Sequence, residues 1–225
     1  MTGRSIDGKA IAANVRAGVA AAVVFIPAHA AVSRIERIRS TGARVELVHG
    51  GYDDAVRRCA GVSEANRGHV VADIGYEGYL EVPRLISEGY STLFEELEQQ
   101  FAAALQSPNV VLVQAGVGGL LHAAVDHFRS RVDQPILVAV EPVESDPLFQ
   151  SINSVNGEPA ECRGRQDSIM AGLNCGRVSL TAWPTVRRGV DLFVTVTDHY
   201  AEAAMRRLAH PIGTDSKIVA GESGA

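Results

Sequence analysis

The sequence predicts an α/β fold built on mostly parallel sheets. Short runs rich in β-branched residues, of the kind buried on both faces of a parallel sheet, alternate with helical patterns from end to end of the chain. The stretch "VVLVQAGVGGLLHAAV" at 110–125 adds a second observation, a cluster of glycines where a buried strand turns into a helix.

Asp7 is expected to cap a helix through Arg16 that Gly18 stops, and "AAVVFIP" at 21–27 reads as a strand. Ser33 is expected to cap the helix "RIERIRST", which Gly42 ends; "RVELV" at 44–48 is a strand. In "YDDAVRRCA" at 52–60, Asp53 and Asp54 occupy a first helical turn, where the helix dipole favours acids. "GVSEANRGH" reads as a break. After it come the strand "HVVAD" at 69–73, a helical region from Gly78 to Leu105, the strand "NVVLVQ" and a helix over 119–130. The strand "PILVAVEP", helical patches near 145–152 and 168–174, the strand "DLFVTVT" and a helix to about Ala209 complete the order.

With 225 residues, 46% of them hydrophobic, the chain has enough apolar surface for a sizeable core in one large or two small domains. The formal net charge of −5 and the lack of a basic stripe argue against a nucleic-acid partner. Cys59, Cys162 and Cys175 are odd in number and widely spaced, which fits reduced thiols and a cytoplasmic setting better than a disulfide framework or a zinc site. The apolar stretch Ala17–Val32 is interrupted by Gly18, Pro27 and His29 and is shorter than the ~20 residues of a membrane span. No membrane association is expected. His122 and His127 lie five apart, on different faces of a helix, so no metal pair is expected.

Three ligands and a bland alternative compete for the glycine loop. A dinucleotide fingerprint requires a small residue where Leu121 stands, and a P-loop requires a Gly-Lys-Ser/Thr ending that is absent. A phosphate cup of the pyridoxal-phosphate type remains, because Gly116, Gly118 and Gly119 permit backbone angles that aim successive amides at one point near a helix N-terminus. A glycine-rich turn with no ligand also remains at this point.

"QAGVGGL" at 114–120, "YEGYLEVPRLISEGYSTLFEEL" at 76–97, "DSIMAGLNCG" at 167–176 and "PIGTDSKIVAGESGA" at the end carry a resemblance. Together they resemble the pyridoxal-phosphate-dependent diaminopropionate ammonia-lyases, in the fold-type-II group with threonine dehydratase and the tryptophan synthase β chain. "VFIPAHAAVSRIERIRSTGARVELVHGGYDDAV" resembles the small-domain βαβ of that family. The resemblance implies three-layer, mostly parallel sheets of the tryptophan synthase β kind, incomplete in this chain. It divides the chain into a small βαβ domain remnant at 1–65 and a large cofactor-binding domain remnant at 66–225. It also implies pyridoxal 5'-phosphate as cofactor, a small amino-acid substrate and a homodimer.

Residue by residue, Gln114, Gly116, Val117, Gly118 and Gly119 match the phosphate-binding loop of the family, and Asp73 stands where the family has an acid facing the substrate. A carboxylate there binds an ammonium group or moves a proton; the competing reading is an aspartate capping the next helix. Glu77 and Tyr79 read as structural, Met170, Ala171 and Gly172 as a wall beside a planar ring or as core, and Cys175 as a buried thiol. The implied reaction is α,β-elimination, giving pyruvate and ammonia from 2,3-diaminopropionate.

The sequence departs from the family at both ends. The chain's lysines, Lys9 and Lys217, both fall at positions that do not match the family's cofactor-bearing lysine, and "TGRSIDG" at 2–8 stands where the family has "TDGNHG". The last residues fall within the family's "GESGAVGLG" segment. These departures lead to the expectation of an impaired lyase, with a non-catalytic phosphate-binding or interaction module as the alternative.

Overall fold

The computed structural model describes residues 22–104 and 107–225, so the helix expected between Asp7 and Arg16, and Lys9 within it, lie outside the described residues. Among the described residues two parallel sheets form. The first joins β1 (Val23–Pro27) to β2 (Arg44–Val48) in register from Val23 opposite Arg44 to Pro27 opposite Val48, with α1 (Val32–Arg39) as the crossover. Both strands are short and β-branched, and α1 buries only Ile35 against them. Ser33 is not the cap of α1. The helix begins at Val32 with Ala31 as its cap residue and no side-chain cap bond, which leaves Ser33 inside the first turn.

The helix α2 (Tyr52–Asn66) is longer than its sequence pattern indicates. Asp54 accepts the Gly51 N–H at 2.8 Å at its start, and the helix runs through Gly61 until Arg67 adopts a left-handed conformation, φ 53°, and Gly68 N–H bonds Ser63 O. The expected break is therefore only its end. The expected strand "HVVAD" does not form. Two of its backbone groups bond one side chain instead of a neighbouring strand: the Tyr79 hydroxyl accepts from Ala72 N–H at 2.9 Å and donates to Val70 O at 3.1 Å. A tight turn brings Tyr79 back, with Tyr76 and Tyr79 exchanging backbone hydrogen bonds and stacking their rings 4.9 Å apart. Gly78, at φ +82°, makes that turn possible.

The helices α3 (Glu81–Gly89) and α4 (Ser91–Ala104) lead to the second sheet, in the order β3 (Val110–Gln114), β4 (Ile136–Pro142), β5 (Leu192–Val196), all parallel. Between β3 and β4 runs α5 (Gly119–Arg129), whose Leu121, Ala124 and Phe128 are fully buried against Leu137 and Ala139 of β4. Beyond β4, α6 (Pro147–Ile152) is followed by a single 3-10 turn at Ala171–Leu173 where a helical patch was expected. The sequence pattern misses α7 (Trp183–Gly189), whose Pro184 lies in the first turn, where it costs no intrahelical bond. Trp183 Nε1 donates to Gly157 O, and Val186 is fully buried under α5. The chain then passes through β5 to α8 (Asp198–Ala209). No helix among the described residues is long and apolar enough to cross a membrane.

Candidate active site

The turn from β3 into α5 closes one wall of a cavity of about 280 Å³. Gly118 takes φ +99°, a left-handed angle that L-residues rarely adopt, and a Cβ on it would sit 3.4 Å from Ala182 and 3.5 Å from Leu148. Gly116 packs equally close to Cys175 and the backbone of Leu173. None of the amides of Gly116, Val117, Gly118 and Gly119 donates to another described residue, whereas the neighbouring Ala115 N–H is held by Val140 O. Four free donors thus gather at the N-terminus of an 11-residue helix, whose dipole adds positive potential at the same place. Such a cradle fits a phosphate group.

The second wall comes from the 3-10 turn and the strand-like segment after it. Ser145, fully buried, accepts the Cys175 N–H at 2.8 Å, and its hydroxyl reaches the carbonyls of Leu173 and Cys175. Ala171 and Gly172 are small and exposed to the cavity, while Met170 is buried in a separate core cluster. The Cys175 thiol is buried at the cavity wall, and burial pushes its pKa well above that of an ordinary thiol. That makes it a poor nucleophile.

The third wall carries the charge. Asp73 is the single charged side chain among the described residues lining the cavity, and Tyr52, the first residue of α2, donates its hydroxyl to Asp73 Oδ1 at 2.6 Å. Burial, and after it the charge of Asp73, pushes the ionisation of Tyr52 far above the ordinary tyrosine range. The hydroxyl is therefore a fixed donor. Sequence reasoning missed Tyr52, and it also missed Ser179, whose N–H bonds Val117 O at 2.8 Å while its Oγ accepts the Gly75 N–H at 2.7 Å. That serine ties the loop bearing Asp73 to the glycine cup, and Gly75 has no room for a side chain because Thr181 stands 2.9 Å from its Cβ position. Ser223, of the "GESGA" ending, lines the cavity as well and accepts the Gly172 N–H.

The structure thus brings Asp73, Gln114, Gly116, Val117, Gly118 and Gly119 to one cavity. Other sequence candidates lie elsewhere. His127 bonds Glu98 at 2.9 Å and stacks on Phe94, His122 faces Asp126, Glu77 is exposed, and Lys217 is exposed away from the cavity.

Residues 8–225 match the family profile described as pyridoxal-phosphate dependent enzyme. The chain is 34% identical over 208 residues to a diaminopropionate ammonia-lyase of Salmonella typhimurium, covering 91% of this chain and 52% of that protein. It is 32% identical over 198 residues to a phenylserine dehydratase of Ralstonia pickettii, covering 87% of this chain and 55% of the relative. Its fold is similar, with a TM-score of 0.84 and 32% identity over 91% of this chain and 52% of the other, to a diaminopropionate ammonia lyase from Escherichia coli solved in complex with an aminoacrylate-PLP azomethine reaction intermediate. The chain spans about half the length of these relatives.

Proposed function

The chain belongs to the pyridoxal-phosphate dependent enzyme family, and from that premise we propose that it serves a diaminopropionate ammonia-lyase reaction, the α,β-elimination of 2,3-diaminopropionate to pyruvate and ammonia. One observation carries the reading: four amides at a helix N-terminus, without a partner among the described residues, share a cavity with one carboxylate from those residues. When bound, pyridoxal phosphate supplies an electron sink for the α-carbon of an amino acid. The amides of Gly116, Val117, Gly118 and Gly119 hold the phosphate, with Gln114 at the lip of the cup. Ala171 and Gly172 leave space for a planar ring, and the buried Leu173 and Cys175 side chains exclude water behind it. Asp73 attracts the substrate ammonium and takes up or returns a proton at Oδ2, the oxygen that no described residue occupies.

Two further features belong to the same reading. The separate sheets support domain remnants at 1–65 and 66–225, and the exposed apolar side chains Leu112 and Leu192, which flank Val138 of β4 on one face of the second sheet, support association as a homodimer. The free cysteines support a cytoplasmic setting.

The test pairs two variants. Gly118→Val puts a β-branched side chain against Ala182 and Leu148 at a left-handed residue and is expected to abolish binding of inorganic phosphate and of pyridoxal phosphate. Asp73→Asn is expected to retain both while pyruvate formation falls roughly a hundredfold, as for loss of a general acid or base. Phosphate binding untouched by Gly118→Val removes the cup, and cofactor binding with no pyruvate from the unaltered chain removes the lyase reading.

A further inference from the structure

The proposed role of Asp73 leaves open what fixes its carboxylate. Asp73 is exposed, lies in a loop that forms no sheet, and has one side-chain partner among the described residues, Tyr52. Tyr52 itself is anchored. It packs against the buried cluster of Ile74, Val117 and Cys175, which joins the loop bearing Asp73 to the glycine cup and the cavity wall. The phenol therefore transmits the position of the cup to the carboxylate.

We infer that Tyr52 is a positioning residue: its hydroxyl holds Oδ1 of Asp73 and presents Oδ2 to a second ammonium group on the substrate, so that the pair selects amino acids carrying an amine at Cβ over those carrying a hydroxyl. The inference rests on the reading of Asp73 as a substrate contact. Three observations carry it. The Tyr52 hydroxyl is a donor that does not ionise in the working range of pH, so Oδ1 is committed as an acceptor. Oδ2 receives no hydrogen bond from a described residue. No other charged side chain lines the cavity among the described residues, so an extra positive charge on the substrate meets one negative group and no positive one. A β-hydroxyl offers Oδ2 a neutral hydrogen bond, whereas a β-ammonium offers a charge-assisted one, about twice as strong. Relatives of this chain are named for both kinds of substrate, diaminopropionate and phenylserine, which differ in that group.

The experiment uses the full chain loaded with pyridoxal phosphate, in four forms: unaltered, Tyr52→Phe, Asp73→Asn and the double variant. Calorimetric titration gives the affinity of each for 2,3-diaminopropionate and for serine, and inorganic phosphate is titrated into each unloaded form. Tyr52→Phe is expected to weaken diaminopropionate roughly tenfold, as for loss of a hydrogen bond to a charged group, and to change serine and phosphate by less than about twofold. The effect should vanish in the Asp73→Asn background, because the tyrosine acts through that carboxylate. An equal loss for both amino acids, or the same loss with Asp73→Asn already present, overturns the inference. So does an unaltered chain that binds diaminopropionate no better than serine. Loss of phosphate affinity in Tyr52→Phe would assign the ring to the packing of the cup alone and would also overturn it. If Asp73→Asn leaves diaminopropionate affinity unchanged, the substrate role of Asp73 itself falls, an outcome distinct from failure of Tyr52 alone.

Discussion

The walls of the cavity rest on foundations of different strength. The glycine cup stands on a three-stranded sheet with α5 and α7 packed over it, where Leu121, Phe128, Leu137, Leu148 and Val186 are fully buried. The helix that carries Tyr52, the partner of Asp73, stands on a two-stranded sheet in which no strand residue is fully buried, with Ile35 and Ala55 as the buried side chains of its two helices. A two-stranded sheet is marginal by itself. The phosphate-holding wall is therefore the stable one, and the helix that brings Tyr52 to Asp73 is the element free to adjust.

Truncating one core side chain on each side gives the largest expected contrast. Leu148→Ala removes a fully buried residue that fills the space a Cβ on Gly118 would face, and is expected to cost about 3–5 kcal/mol; Ile35→Ala, in the thinner core, should cost ~2 kcal/mol, at the low end for a buried aliphatic. Urea denaturation measures both. Equal costs would mean that the two foundations are comparable.

A second contrast concerns pH. Glu141, at the end of β4, is fully buried and accepts the N–H groups of Leu148 and Phe149, the first turn of α6. Burial pushes its carboxyl up from 4.5 to about 8, against the downward pull of those two amides. The folded state then binds a proton that the unfolded state has released. Stability from this group is complete below pH 4.5 and is lost as pH rises through about 8, at ~1.4 kcal/mol for each unit between. Glu141→Gln fills the same space without a charge, so its unfolding free energy should lack this slope between about pH 5 and about pH 8. Parallel slopes in the two proteins would show that Glu141 does not titrate in that window. Among the described residues of the other foundation, Asp54 shifts the opposite way, held below its ordinary value first by the Gly51 N–H.

These differences also explain what was legible in the sequence. The cup was legible because its signals are local: a β-branched run, glycines and a helix start fall within 16 residues, and the expected strand and helix appear where the pattern put them. The strands "RVELV" and "PILVAVEP" and the helix ending at Ala209 were readable for the same reason. The Asp73 side depends on distant partners. "HVVAD" has the composition of a strand, yet Tyr79 takes its hydrogen bonds, and the Tyr52 to Asp73 contact joins residues 21 apart. Ser179 bonds Gly75 across 104 positions, a pairing that no periodicity encodes.

The smallest expected effect compares two arginines that each reach an acid far along the chain. Arg129, at the end of α5, donates Nε to Gly189 O at 2.8 Å and Nη1 to Pro135 O at 2.9 Å, and it pairs with Asp191, whose Oδ2 also accepts the Leu137 N–H. Arg34, on α1, has Glu222 as its one side-chain partner among the described residues at 2.9 Å, with both side chains substantially solvated. Removing Arg129 strands two carbonyls and takes one partner from the half-solvated Asp191 at the junction of α5, β4 and β5, and Arg129→Ala should cost about 2–3 kcal/mol. Removing Arg34 surrenders a screened surface pair whose ends water replaces, so Arg34→Ala should cost less than ~1 kcal/mol, and 1 M salt should erase most of that difference. Urea midpoints at low and high salt read both effects. A salt-insensitive loss at Arg34 equal to that at Arg129 would mean that the contact between α1 and the "GESGA" segment carries as much of the fold as the junction beneath the cup.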